Sequence, residues 1–238
     1  MDYTWDLRSI LKHYPLFLDG AMWTLGLAAC GVVVGVLLGS GLAMLKIAPT
    51  GGTLFQRIVN WVRRFIASVY IEFIRGTPAM VQIFVVFYGL PQLLRAMGLN
   101  VDLSRFWTGA LALGINSAAY VAEIIRSGIQ SVDVGQMEAA RSLGMKKSAA
   151  MGRIIMPQAI RNILPALGNE FIIVIKESSI VSVIGVGDLM YKARAVWSKT
   201  YRYFEVLLVI SIIYFIITFT LSKVMGGVEK RMRRSGWR

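Results

Sequence analysis

Histidine and cysteine occur once each in the 238 residues, as His13 and Cys30. A single cysteine cannot close an intrachain disulfide, and its place inside a long apolar run makes it uninformative about redox compartment. One histidine outside the apolar runs leaves no imidazole within them for metal ligation or triad catalysis. A membrane enzyme would then need an unusual carboxylate mechanism. The dipeptide Gly-Lys is absent, which removes the phosphate-cradling Gly-x-x-x-x-Gly-Lys loop and assigns any nucleotide chemistry to another chain. Charge is also scarce, at 16% of residues against roughly 25% for soluble domains. What charge there is leans one way, with 26 Lys and Arg against 13 Asp and Glu.

What fills the chain instead is apolar. Hydrophobic residues make up 56% and the mean hydropathy is +0.61. Gly20 to Leu45 contains no charged residue, and at about 1.5 Å per residue such a run exceeds a hydrocarbon core of about 30 Å. The apolar runs are continuous rather than alternating, which selects helices over a barrel. The sequence therefore predicts an all-α integral membrane protein forming one domain over 1–238. Its five spans fall at about 20–45, 65–91, 106–126, 163–187 and 204–225. Pro49-Thr50-Gly51-Gly52, Gly89-Leu90-Pro91 and Gly226-Gly227 punctuate the ends. Residues 1–19 mix acidic and basic residues, unlike the basic start of a cleaved signal peptide, so the first span is expected to be retained.

The net charge of +13 does not imply nucleic acid in this setting, because basic loops orient a membrane protein and meet anionic headgroups. Alternate connections, 46–64, 126–161 and 223–238, hold 16 Lys and Arg, while 1–19, 92–105 and 188–205 hold 8. The positive-inside rule places the N-terminus outside and the C-terminus in the cytoplasm, with the long connection 127–162 also cytoplasmic. The segment 188–205 is rather basic for an outer loop. Trp23, Trp107 and Trp61 fall near span ends, as interfacial anchors do.

Packing and chemistry are written into the spans. Gly31, Gly35 and Gly39 recur every four residues and predict close approach of another helix, within the chain rather than between subunits. Ionisable groups in lipid cost on the order of 2.5–3.5 kcal/mol each, yet the second span carries Glu72 and Arg75, spaced to pair, just before Gly76-Thr77-Pro78. Asn116, Tyr120 and Glu123 align on one stripe of the third span. The fourth holds Asn169 and Glu170, then Lys176-Glu177-Ser178-Ser179. Internal pairing, Lys176 with Glu123 or Glu177, is one reading. The other is that Asn116, Tyr120, Glu123, Lys176, Glu177, Ser178 and Ser179 line a wet cavity, where carboxylates meet an ammonium group and hydroxyls a carboxyl group.

Between the third and fourth spans, Glu138-Ala139-Ala140-Arg141-Ser142-Leu143-Gly144 is followed by a polar stretch and then Ile154-Ile155-Met156-Pro157. This amphipathic insert reads as two short helices broken at Gly144. With Gly144 six residues after Glu138 and Pro157 thirteen further on, it resembles the EAA loop of ABC importer permeases; Met156 stands where that pattern has leucine. Tyr70 to Pro78 with Gln82, Asn116 to Glu123, Leu167 to Phe171 and Lys176 to Ser179 are similar to segments of the polar amino acid permeases.

The resemblance implies a type I importer permease fold and a multi-pass protein of a prokaryotic inner membrane. It also implies a second permease chain, identical or similar, an ATPase dimer and an extracytoplasmic solute-binding protein. Glu138, Ala139, Ala140, Leu143, Gly144 and Pro157 would contact the ATPase, which would bind ATP and magnesium; the permease itself would need no cofactor. The substrate would be a polar amino acid. Lys176 beside Glu177 favours a neutral one such as glutamine over a basic one. The competing class is an ATPase-independent channel or secondary carrier, for which neither inverted repeats nor a filter segment is visible.

Overall fold

The computed structural model describes residues 5–47 and 52–234. Pro49, Thr50 and Gly51, expected to punctuate the first connection, lie outside the described residues. Eleven α-helices account for most of the rest: α1 Leu7–Leu11, α2 Tyr14–Lys46, α3 Leu54–Gly76, α4 Ala79–Phe84, α5 Leu90–Ala96, α6 Arg105–Gln130, α7 Val134–Ser142, α8 Lys147–Ala150, α9 Met156–Glu177, α10 Leu189–Thr200 and α11 Tyr203–Arg234. Among the described residues there is no strand. Four stretches are long and apolar enough to cross a membrane: Tyr14–Lys46, Ala79–Ala96, Arg105–Gln130 and Tyr203–Met232. Helix α9 is more polar and packs against both α6 and α11.

The helices α2 and α6 form the centre of the fold. Buried Gly31, Gly35 and Gly39 make one face of α2, directed at α6 of the same chain. A methyl group built on Gly39 would stand 2.8 Å from both the Ala118 carbonyl and Val121 Cβ. The absent side chains let the two backbones meet, which replaces the hydrophobic drive that lipid does not provide. Around this seam Leu27, Ala28, Ala110, Leu113, Val174 and Ile175 form the main core with Val181 and Ile184.

The second expected span is not one helix. Helix α3 stops at Gly76, Thr77 is extended, and α4 restarts after Pro78. Proline has no N–H for the carbonyl four residues back, here that of Ile74, and lipid offers no water in compensation. Gln82 repairs the gap: its Nε2 donates to Ile74 O at 2.7 Å and to Thr77 O at 3.1 Å. The Thr77 hydroxyl donates to Phe73 O at 2.9 Å. Asn116 Nδ2 donates to Gln82 Oε1 at 2.8 Å, tying the elbow to the middle of α6.

Two widened π-helical turns, Val85–Gly89 and Met151–Ile155, each end two residues before a proline, Pro91 and Pro157. A proline ring clashes with the carbonyl four residues before it, and in both cases that carbonyl lies inside the widened turn, where the extra residue relieves the contact.

The segment 188–205, expected to be a loop, contains α10. Asp188 caps it, accepting from Met190 N at 3.1 Å and Tyr191 N at 3.2 Å, while Leu189 N donates to Thr24 Oγ1. Its basic character is partly cancelled in place. Lys192 pairs with Asp19 at 2.5 Å and Arg202 with Glu205 at 3.2 Å.

Candidate functional site: a projecting insert and a charged cavity

The insert begins where α6 ends. Asp133 Oδ1 accepts from Gly135 N at 2.7 Å and starts α7, as an N-cap aspartate does. At the other end Met145 N donates to Ala140 O at 3.1 Å and Gly144 N to Arg141 O at 3.0 Å. This is a Schellman closure, and it requires a left-handed residue; Gly144 supplies it with φ of 83°. The base is anchored by Val132, Ile155, Ala159 and Ile163, packed with Ile129 and Met137. Ala140 turns inward at 2% exposure while Leu143 stands 86% exposed. Glu138, Ala139 and Pro157 are exposed as well. The outward surface of the insert thus sets Ala139 and Leu143 beside the Glu138 carboxylate, among exposed Arg141, Lys146 and Lys147, on a base packed into the fold.

Above the insert, a cavity of about 500 Å³ opens between the end of α3, α6 and α9. Arg75, Tyr120, Glu123, Arg126, Asn169 and Glu170 are among its lining residues. Arg75 does not pair with Glu72, contrary to the spacing; its guanidinium lies over the Tyr120 ring, 5.7 Å from the centroid. Glu123 is clasped by two cations: Lys46, from the end of α2, and Arg126, whose Nη2 lies 2.7 Å from Oε2. The expected pairing of Lys176 with Glu123 is therefore replaced by these two. Ser117 Oγ donates to Glu170 Oε1 at 2.7 Å, and that carboxylate is 4% exposed.

Of the seven substrate-side residues read from sequence, the structure places Tyr120 and Glu123 on this cavity. Asn116 is buried in its bond to Gln82. Lys176, Glu177, Ser178 and Ser179 lie at the far end of α9, away from the cavity wall, where the helix tightens into the 3₁₀ turn Ser178–Ile184. There Ser178 Oγ donates to Ile175 O at 2.8 Å and Ser179 Oγ to Lys176 O at 2.7 Å. Lys176 is exposed and Glu177 half-buried. Arg126, Lys46 and Gln82 were not among the expected site residues. The signals for Gln82, four residues after Pro78, and for Arg126, three residues after Glu123, were present; the role of Lys46 rests on a contact between residues 77 apart in sequence.

A polytopic helical bundle with a rigid knob projecting from one end and a charged cavity behind it defines a transport subunit driven from outside its own chain. Residues 31–234 match the family of binding-protein-dependent transport system inner membrane components. The chain belongs to that family. It is 39% identical over 228 residues to the arginine transport system permease protein ArtQ of Bacillus subtilis, covering 96% of this chain and 97% of that one. It is 37% identical to a putative glutamine transport system permease protein, GlnP, of Rickettsia typhi, covering 95% and 98%. It superposes on a chain of the crystal structure of an amino acid ABC transporter with histidines, with TM-score 0.84 and 48% identity, covering 96% of this chain and all of that one. The protein is a multi-pass inner-membrane permease subunit of an ABC importer, and hydrolysis of ATP belongs to a partner ATPase.

Proposed function

We propose that the chain moves a polar amino acid inward through the cavity between α3, α6 and α9. The observation that carries this is the inequality of its charges. Glu123 is satisfied by Lys46 and Arg126, whereas Arg75 has only an aromatic ring beneath it and Glu170 a single serine on one oxygen. Arg75 is then the group for a substrate carboxylate and Glu170 the group for its ammonium, with Tyr120 and Asn169 beside them. Glu177, one heptad beyond Glu170, offers a second carboxylate about 10 Å along the same face. Lys176, Ser178, Ser179 and Asn116 shape this upper station rather than the cavity floor.

A neutral polar amino acid such as glutamine fits this balance of one cation, Arg75, without an acidic partner among the described residues and one carboxylate, Glu170, without a cationic one. The arginine permease among the relatives supports a basic amino acid as the second reading, since Glu170 and Glu177 together would hold two cationic groups. Uptake of labelled glutamine and arginine into vesicles with the cognate binding protein separates the two. Glu170→Gln is expected to lower affinity for the transported amino acid about tenfold or more, one lost charge-assisted bond being worth about 1.5–3 kcal/mol. Unchanged affinity and selectivity in both Glu170→Gln and Arg75→Gln would sink the assignment.

The insert faces the cytoplasm, with the N-terminus outside, and two permease chains, identical or similar, hold an ATPase dimer that binds ATP and magnesium; this chain has no cofactor of its own. Exposed Glu138, Ala139 and Leu143 form the docking face, Gly144 fixes its bend, and Pro157 begins the rod that carries the push. Gly144→Asp, which places a side chain at a φ of 83°, and Glu138→Lys should abolish uptake and release the ATPase on purification while leaving membrane insertion intact. Normal uptake with retained ATPase in both variants would refute the coupling role.

A further inference from the structure

Among the described residues, the first half of α3 has no buried side chain. The helix's only buried residues are Ala67, Ile71 and Ile74, all in the second half. Ile71 packs with Ala43 and Ala122, and Ala43 is one turn from the end of α2. The 17 residues from Leu54 to Ile71 extend about 25 Å, far more than the turn of α2 remaining below that level. The start of α3 therefore lies at or beyond the membrane boundary on the insert side. A Thr53–Gln56 capping box secures it there, with Thr53 N donating to Gln56 Oε1 at 3.1 Å.

That segment is not built for water. Leu54, Ile58, Trp61 and Phe65 follow helical spacing along one stripe and are each more than half exposed, at 73%, 53%, 59% and 55%. Trp61 stacks on Phe65, with centroids 5.4 Å apart. At 100° per residue Arg57 and Arg64 flank this stripe on one side; exposed Phe55, Val62 and Ile66 widen it on the other, and Arg63 lies beyond them. No Asp or Glu occurs between Lys46 and Ile71, and none of the three arginines is in an ion pair among the described residues. Leu54, Arg57, Ile58, Trp61 and Arg64 surround a surface cleft of about 450 Å³.

We propose that this half-helix is a binding surface selective for anionic phospholipids in the leaflet on the insert side, with Trp61 and its apolar neighbours among the acyl chains and Arg57, Arg63 and Arg64 on headgroup phosphates. An amphipathic helix of this pattern lies in the interface, and each arginine near an anionic surface is worth about a fivefold enrichment. A second copy of the chain is the wrong occupant. A two-fold contact through this face would bring two arginine-bearing segments together, and neither holds an acid to offset the other's charge. Only the naming of the leaflet as cytoplasmic rests on the orientation proposed above.

The test uses the assembled permease–ATPase complex in vesicles containing about 20% brominated phosphatidylglycerol or, in parallel, brominated phosphatidylcholine. The Trp61 signal is the difference between the wild type and Trp61→Phe. We expect quenching by the anionic lipid to exceed that by the zwitterionic lipid at least about twofold at low salt, with the ratio falling toward one in high salt. The combined Arg57→Gln, Arg63→Gln, Arg64→Gln variant should lose the preference, and the corresponding Lys variant should retain it. Equal quenching by both lipids, or quenching by neither because protein covers Trp61, overturns the proposal. Both leaflets of the vesicle carry the lipid, so the result does not depend on orientation. Orientation fails separately, if a cysteine introduced at Phe55 in a Cys30→Ser background is labelled from outside intact cells.

Discussion

Replacing Gln82 with leucine keeps roughly the volume of the side chain and removes every polar contact that side chain makes at the elbow around Pro78. The Ile74 carbonyl, left without a helix donor by the proline, loses its 2.7 Å bond, and the Asn116 amide loses its 2.8 Å acceptor. Both groups are away from water; Gln82 itself is 6% exposed, as is Asn116. Polar partners within membrane bundles average about 0.6 kcal/mol each and reach about 1.7 kcal/mol. Two stranded groups therefore predict a loss of about 1–3 kcal/mol, read by equilibrium unfolding in mixed micelles. Because the elbow follows Arg75 by two residues, the same change should raise the substrate concentration giving half-maximal uptake. The double variant Gln82→Leu, Asn116→Leu removes both members of one bond and should cost less than the sum of the single changes. Stability within about 0.5 kcal/mol of wild type for Gln82→Leu, or strict additivity in the double variant, would refute the reasoning.

Gly39→Val would drive side-chain carbons into the Ala118 carbonyl and Val121, and overpacking of this kind costs about 1–3 kcal/mol; thermal unfolding in detergent should show it, while Gly41→Val, at a position with open space, should be nearly silent. Lys46→Met should cost about 1 kcal/mol, since Arg126 still faces Glu123 in this partly buried cluster. Glu123→Gln, which leaves two cations without their shared carboxylate, should cost more, and a double-mutant cycle between positions 46 and 123 should return a coupling energy distinguishable from zero.

What could be read from the chain divides by the range of the interaction. The glycine ladder at 31, 35 and 39 named its own purpose, because closeness of backbones is a property of those residues wherever the partner lies. The left-handed bend at Gly144 and the opening at Pro78 were equally local. The identity of charge partners was not. Glu72 and Arg75 are correctly spaced on one helix face, yet a ring on α6 takes the arginine. Of the two cations on Glu123, Arg126 lies one turn along the same helix, but Lys46 comes from α2, across a span of sequence that no pattern crosses. Four consecutive polar residues at 176–179 looked like a lining, but both serine hydroxyls turn back to carbonyls released where α9 narrows. A hydroxyl's choice between substrate and its own backbone is made by helix geometry, which composition does not reveal. The amphipathic helix α10 was hidden for a related reason: the basic residues of 188–205 read as loop charge until Asp19 paired with Lys192 on α10 and Glu205 with Arg202 just beyond it.

From Lys147 through the widened turn to the end of the 3₁₀ segment at Ile184, the backbone follows one helical path without a loop. Its lower end is the base of the insert and its middle is a wall of the cavity. Such a path passes a tilt from one end toward the other, with the widened turn and Pro165 inside α9 as its two points of give. The 22 residues of α9 span about 33 Å, so a tilt of about 5° about its foot carries the tip sideways by about 3 Å. Glu170 and Glu177, at different heights on this shaft, would sweep different arcs. A small rotation imposed on the insert is thus graded along the path, larger at Glu177 than at Glu170, with no proline or widened turn between those two to absorb it.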